Sequence, residues 1–352
     1  MIYNGFNISD KNILIEKSKD QVSTLILGIG GMGTNAVTSL FSTGMKEADF
    51  AIINVYNGQN NNLPYGIKKV ILKDPSGKPL STNGSIENGE RIALLTEQAW
   101  KQVVGGYDVI IIIAGLGGGT GGGMGPIIAQ YSKKKSKSLV ISIVTMPFSL
   151  EGESKKLNAI KALKKFKASS NTTVVLENDI IFNMFRNLPF QRAIEIMNSG
   201  IIYSIIETLL DIIKGRSTHM SIDFDVLKEM MKNGGESTVI YGEGEKSNVD
   251  NIVRSMFNSR FSSLDPSNYR NAIININSDE NFTYEDLDRI SKSIFDVLGD
   301  RIDVRFSIKT QPNFREKIKI TGILIKGPDE EMNLKKENVS DYAITDYYPI
   351  FF

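Results

Sequence analysis

The 352-residue chain has no cysteine and a single histidine, His219. Without cysteine there are no disulfides, thiolate zinc sites or thiol nucleophiles. With one histidine there is no multi-histidine metal centre, and a Ser-His-Asp triad would have to use that residue. Long apolar runs are missing too: none reaches the roughly 18 residues of a membrane span. The N-terminus, MIYNGFNISDKNILIEK, lacks the basic segment and apolar stretch of a secretory signal. A cytoplasmic setting is expected. Nor is there an excess of either charge. Lys+Arg total 41 against 40 Asp+Glu, a net charge of +1, which argues against direct nucleic-acid binding. A composition of 41% hydrophobic and 23% charged residues suits a globular protein with a sizeable core. What the chain has in plenty is glycine, 31 residues in clusters.

Strands and helices alternate through the first half. Val22–Leu27 reads as a buried strand, followed by a glycine turn and a helix opened by Asn35–Phe41. DFAIINV (49–55) is a second strand, and 56–90, rich in Asn, Gly, Pro and Ser, is expected to hold loops. A helix from about Asn88 to Val104 follows. Next come a strand, glycine loop and helix over 107–134, a strand at 139–148, a basic helix over 153–168 and a strand in 172–179. This alternation predicts a parallel sheet covered on both faces, with ligands at the carboxyl ends of the strands. Apolar spacing makes 190–214 one long helix. From about 236 the pattern changes to strands separated by helices at 248–258 and 283–298, an α+β unit with a mixed or antiparallel sheet. The expected divisions are an N-terminal extension (1–21), a nucleotide domain (22–189), a central helix (190–216), a C-terminal domain (217–327) and a tail (328–352).

Two glycine constellations carry the chemistry. GIGGMGTNAV, from Gly28, lets the backbone approach a phosphate in front of a helix N-terminus. By itself it fits NAD, FAD or another nucleotide about equally. The second strand offers Asn54 where an NAD site wants an acid. AGLGGGTGGGMG, from Ala114, is far more particular: six of the seven residues from Gly117 to Gly123 are glycine. Ordering such a stretch costs much chain entropy. Its amides, with the Thr120 hydroxyl, make an anion-binding nest. No Lys-Ser/Thr follows, so it is not a Walker A loop.

These residues resemble the tubulin/FtsZ superfamily, and FtsZ more than eukaryotic tubulin. The second loop resembles the family's GGGTGTG box and the first its GxGGxGxNAV. TMPFSLEG (145–152), NGSIENG (83–89) and END (177–179) resemble three further family loops, in family order and spacing. The resemblance covers roughly 22–327. It implies a tubulin/FtsZ-type GTPase domain with a parallel sheet, a long central helix and a C-terminal α+β domain with a mixed sheet. It implies GTP or GDP, with Mg2+, and head-to-tail stacking of copies into a filament. A nucleotide would contact Gly30, Gly31, Met32, Asn35, Asn54, Gly117, Gly118, Gly119, Thr120, Gly121 and Gly122. Glu151 would hold the ribose, Lys155 stands where the family has Arg, Asn178 would read guanine, and Asn198 stands in an Asn-Ser pair where the family has Asn-Asp.

The sharpest departure lies in SIDFDVLKEMM (221–231), against the family's NxDFADVxxxM. Asp223 matches the first acid, Ser221 replaces Asn and Val226 replaces the second acid. Asp225 falls one residue early, a rotation of about 100° on a helix, unless a one-residue deletion restores it. Asp223 and Asp225 are the candidate catalytic residues. Tyr56 replaces an Asp expected near the metal. The resemblance therefore implies an FtsZ-like GTPase acting in cell division. Two alternatives stand: a paralogue that binds GTP, hydrolyses it weakly and co-assembles with another FtsZ-family protein, and a plasmid or phage segregation filament. The terminal DYYPIFF resembles a peptide that docks a division adaptor, and it would equally pack back on the second domain.

Overall fold

The computed structural model describes residues 22–55, 63–73, 80–179, 187–258, 265, 268–299 and 301–326. The expected N-terminal extension, the loop holding Tyr56, the tail, and the side chains of Asn198 and Ser199 lie outside the described residues.

Among the described residues, ten strands form one sheet in the order β3-β2-β1-β4-β5-β6-β7-β10-β8-β9. Strands β1 (Thr24–Ile29), β2 (Asp49–Val55), β3 (Lys68–Leu72), β4 (Val109–Gly115), β5 (Leu139–Met146) and β6 (Thr172–Glu177) run parallel. Their central members are continuous apolar runs because both faces are covered. Helices α1 (Gly30–Ser42) and α6 (Phe190–Ile213) lie on one face. On the other lie α2 (Ile86–Leu95), α3 (Glu97–Val104), α4 (Gly125–Lys134) and α5 (Glu153–Ser169).

α6 is long and apolar enough to cross a membrane, but 81% of its most apolar window is buried in the fold. It is a core helix, and a π-helical stretch interrupts it at Met197–Ile202. After it come α7 (Phe224–Lys232) and β7 (Gly235–Glu245). β7 meets β6 over three residue pairs only, Thr172–Gly235 to Val174–Ser237. It then runs antiparallel to β10 (Lys317–Ile325) along that strand's whole length. β10 is antiparallel to β8 (Asn271–Ser278), which is parallel to β9 (Asp303–Thr310). Helices α8 (Val249–Asn258) and α9 (Tyr284–Leu298) pack on this mixed part in a third core.

The α/β class with a mixed C-terminal sheet is the expected one, with three local corrections. The loop region 56–90 contains the edge strand β3, paired to β2. The helix expected over 88–104 is two helices broken at Thr96 (φ −111°, ψ 20°), whose hydroxyl donates to Ile92 O at 2.7 Å. The helix after the first glycine turn starts at Gly30, five residues before Asn35.

Candidate nucleotide site

The register of β1 and β4 builds the site. Ile29 pairs with Ala114, so the two strands end level and their glycine turns emerge side by side. Gly30, at φ +74°, lets the first turn close: a Cβ there would lie 3.1 Å from Gly121 N. α1 begins at once. The second turn leads into a π-helical start, Thr120–Met124, which continues as α4. Neither helical run has a side-chain cap or a first-turn acid at its start. The first amides of a helix have no intrahelical acceptor, and the helix dipole makes them an anion site. Here two such ends converge.

Between them lies a cavity of ≈ 350 Å³. Its wall includes Gly30, Gly31, Met32, Gly117, Gly118, Gly119, Thr120, Gly121, Glu151, Lys155 and Asn178. Gly31 and Gly118 face open space where a Cβ would project, so the absent side chains leave room for a ligand. Gly119 has a different reason to be glycine. A Cβ there would overlap Ser85 O and come within 2.8 Å of the Thr82 Cβ.

That contact brings in a loop whose residues went unnamed as ligands in the sequence reading. Thr82 and Gly84 line the cavity, and the Thr82 hydroxyl lies 3.5 Å from that of Thr120. The signal was the Asn83-Gly84 turn, with φ of 48° and 74°. The turn is tied down by Ser85 N donating to Thr82 O at 2.9 Å and by Asn158 Nδ2 donating to Gly84 O at 3.0 Å.

Across the cavity, Glu151 is held at both oxygens. Phe148 N–H donates to Oε1 at 2.9 Å and Lys155 Nζ to Oε2 at 2.8 Å. Lys155 is half-exposed. Asn178 follows β6 and is buried, yet its Oδ1 has no hydrogen-bond partner among the described residues. A buried orphan acceptor is costly, and Asn178 is one of the residues that line the cavity. Asp179 fastens the corner by accepting from Ser149 N at 3.0 and 3.1 Å. Burial, with Glu236 and Asp179 nearby, pushes the Glu177 carboxyl up to about 7.

Three expected contacts are not brought to the cavity. Asn35 is exposed on α1. Asn54 is buried and internally committed, donating to Thr34 Oγ1 at 3.3 Å and accepting from Val55 N at 2.9 Å. Gly122 packs behind the loop, where a Cβ would meet Ala162 and Leu116. The expected acids lie elsewhere. Asp223 occupies the N-cap position of α7 without making a cap hydrogen bond, and Asp225 is in its first turn. Both are exposed. α7 is anchored at the end of β6 away from the cavity, through Thr172 Oγ1 donating to Met231 O at 2.7 Å.

A cavity walled by backbone amides at two helix starts, and lined also by Asn178, fits a phosphorylated ligand. Comparison with known proteins names the family. Residues 23–186 match the Tubulin/FtsZ family GTPase domain. The chain is 29% identical over 317 residues to the cell division protein FtsZ of Methanothermobacter thermautotrophicus, covering 89% of this chain and 81% of that one. The chain is a divergent, FtsZ-like member of the tubulin superfamily. An empty FtsZ dimer from M. jannaschii superposes with a TM-score of 0.76 at 25% identity, over 86% of this chain and 88% of that one. CetZ2 of Haloferax volcanii, solved as a GTPγS-bound protofilament, shares the fold at 18% identity and a TM-score of 0.71, over 88% and 96% of the two chains. Residues 23–186 thus carry the GTPase domain of that family.

Proposed function

We propose that this FtsZ-like chain binds GTP in the cavity between the two glycine turns and assembles head to tail into filaments that serve cell division. The observation that carries the reading is the convergence of two uncapped helix starts on one cavity that Asn178 also lines. Amides near Gly31, Gly118, Gly119 and Gly121, with the Thr120 hydroxyl, hold the phosphates. Glu151 holds the ribose, and Asn178, with Asn198, reads the base. Mg2+ binds mainly through phosphate oxygens and water, as its chemistry permits.

The placement of the acids supports assembly. α6 is 24 residues long, about 36 Å. It starts beside the cavity, where Phe190 rests against Phe148. Asp223 and Asp225 follow its other end and serve the nucleotide of a second copy. Both ends are also apolar at the surface: Leu150 and Phe190 beside the cavity, Met220 and Val226 beside the acids. Such a contact between unlike faces propagates as an open filament. Solved FtsZ-family dimers and protofilaments are consistent with this mode.

Sedimentation with GTP and with GDP, read with phosphate release, tests the proposal. GTP-dependent pelleting is expected, and release should fall about 10²-fold in Asp223→Asn. A protein that binds neither nucleotide and never pellets would refute it. The exposed Val226 in the family's second acidic position favours one other reading, a GTP-bound paralogue that hydrolyses slowly and co-assembles with an active FtsZ. Phosphate release that stays near zero alone, with pelleting only beside an active relative, would select it.

A further inference from the structure

Helix α5 turns a two-sided face outward. Leu157 and Ile160 are 42% and 40% exposed, and Lys161 and Lys164 lie on the same stripe at i+3 and i+4 spacing. Lys165 beside them pairs with Glu90 of α2, and one turn further along α2 the side chains of Leu94 and Leu95 are 60% and 63% exposed. Lys161 and Lys164 form no salt bridge among the described residues. A stripe of leucine and isoleucine framed by lysines suits a ligand that is both acidic and apolar.

The chain itself carries such a segment, and the fold delivers it to this place. The described chain ends at Lys326, just after β10. Lys326 Nζ donates to Glu236 Oε1 at 3.2 Å, and Lys167, near the C-terminal end of α5, donates to Oε2 of the same carboxylate at 3.1 Å. The chain therefore leaves the sheet beside α5. Residues 328–352 follow. They contain Asp329, Glu330, Glu331, Glu337, Asp341 and Asp346 against Lys335 and Lys336, and they finish on YYPIFF. α5 is about 25 Å long, and a fully extended chain from Lys326 to Phe352 reaches roughly 80 Å. Length, exit point, charge and apolar content all match.

We propose that residues 328–352 dock on the exposed face of α5 in the same molecule, their carboxylates against Lys161 and Lys164 and their aromatic end over Leu157 and Ile160. Docked there, the tail covers the apolar stripe and withholds its own aromatic end from other partners.

The absence of cysteine makes the test clean. A nitroxide on Asn338→Cys in the full chain reports tail motion by its electron paramagnetic resonance line shape. An immobilised spectrum at low salt is expected, unchanged by hundredfold dilution or by excess unlabelled chain. K161E/K164E should release it and speed tryptic cleavage at Lys335 and Lys336 about fivefold, the effect of losing two exposed charge pairs. E330K/E331K should do the same. The four-residue charge swap should restore immobilisation, which guards against a variant that merely misfolds. Sharp lines in the parent chain, or immobilisation indifferent to these charges, would overturn the proposal. Loss of immobilisation on dilution would assign the face to a second copy. Immobilisation only with phosphatidylserine vesicles would assign it to a membrane. Either result also refutes self-docking.

Discussion

The two halves of the sheet solve opposite problems with opposite materials. At the carboxyl ends of β1 and β4 the parts that matter are main chain. Glycines let turn 82–85 rest on the 117–121 loop and let both helix starts open on the cavity. Where α6 faces the C-terminal strands, the material is charged side chain. Glu207 pairs with Lys319 at 2.6 Å, and Asp211 pairs with Lys309 at 3.1 Å and with Arg216 at 2.6 Å. Asn277 and Thr321 lie buried on those strands with polar atoms that have no partner among the described residues. The first region has little freedom of shape, and the second has little freedom of charge. Volume errors should therefore damage the cavity, and charge errors the junction.

The largest expected effect is at the junction. Asp211→Ala removes the fully buried partner of Lys309 and Arg216, leaving Lys309 only Glu207 at 3.9 Å and Arg216 only Glu47, and should cost about 3 kcal/mol in urea unfolding. Nucleotide affinity per folded molecule should not change. Burial pushes the Asp211 carboxyl up despite the two cations. Replacing all three partners by apolar residues should therefore be far milder than removing one. Gly119→Ala should do the converse. Its Cβ meets Ser85 O, and fluorescent-GTP titration should show at least about a hundredfold weaker binding, equivalent to roughly 2.7 kcal/mol. The protein should still unfold cooperatively. If Gly119→Ala binds normally, or Asp211→Ala loses binding while folded, the contrast between the halves breaks.

A pH dependence sharpens it. The folded Glu177 carboxyl titrates near 7, above its ordinary value of 4.5, so the folded state holds a proton that the unfolded state releases. The stability this group supplies is full below about 4.5 and is lost as pH rises through about 7. Glu177→Gln should raise stability by roughly 2 kcal/mol at pH 8 and leave it unchanged at pH 4, measured by urea unfolding at both values. The smallest effect is expected at Lys155. Its half-exposed ion pair with Glu151 has little strength in water, and Lys155→Gln should weaken GTP binding by less than about fivefold.

The fold was legible where both faces of an element are buried. β1, β4 and β5 are unbroken apolar runs, and the long α6 announces itself by spacing. β3 was not legible because it is an edge strand that begins with two exposed lysines and gains its identity from pairing with β2. The start of α1 was misread for a similar reason. Glycine at 30, 31 and 33 signals a turn locally, and only packing against β2 and β4 makes it helix. In the cavity, the glycine loops were readable because at Gly30, Gly119 and Gly121 a Cβ would press on neighbouring backbone. Thr82 was missed because its role depends on a contact across 38 positions. Asn54 was misassigned because a polar residue at a strand end looks the same whether it greets a ligand or, as here, the neighbouring Thr34.

One consequence of the glycine-walled cavity concerns how its importance would show up experimentally. A pocket made largely of peptide groups offers few side chains to delete, so an alanine scan over its neighbourhood would return mostly quiet positions. The informative changes are additions of atoms. A single methyl at Gly119 drives turn 82–85 off the loop that truncating several neighbours would leave in place, so a scan that builds outward would map this pocket where one that trims would pass over it.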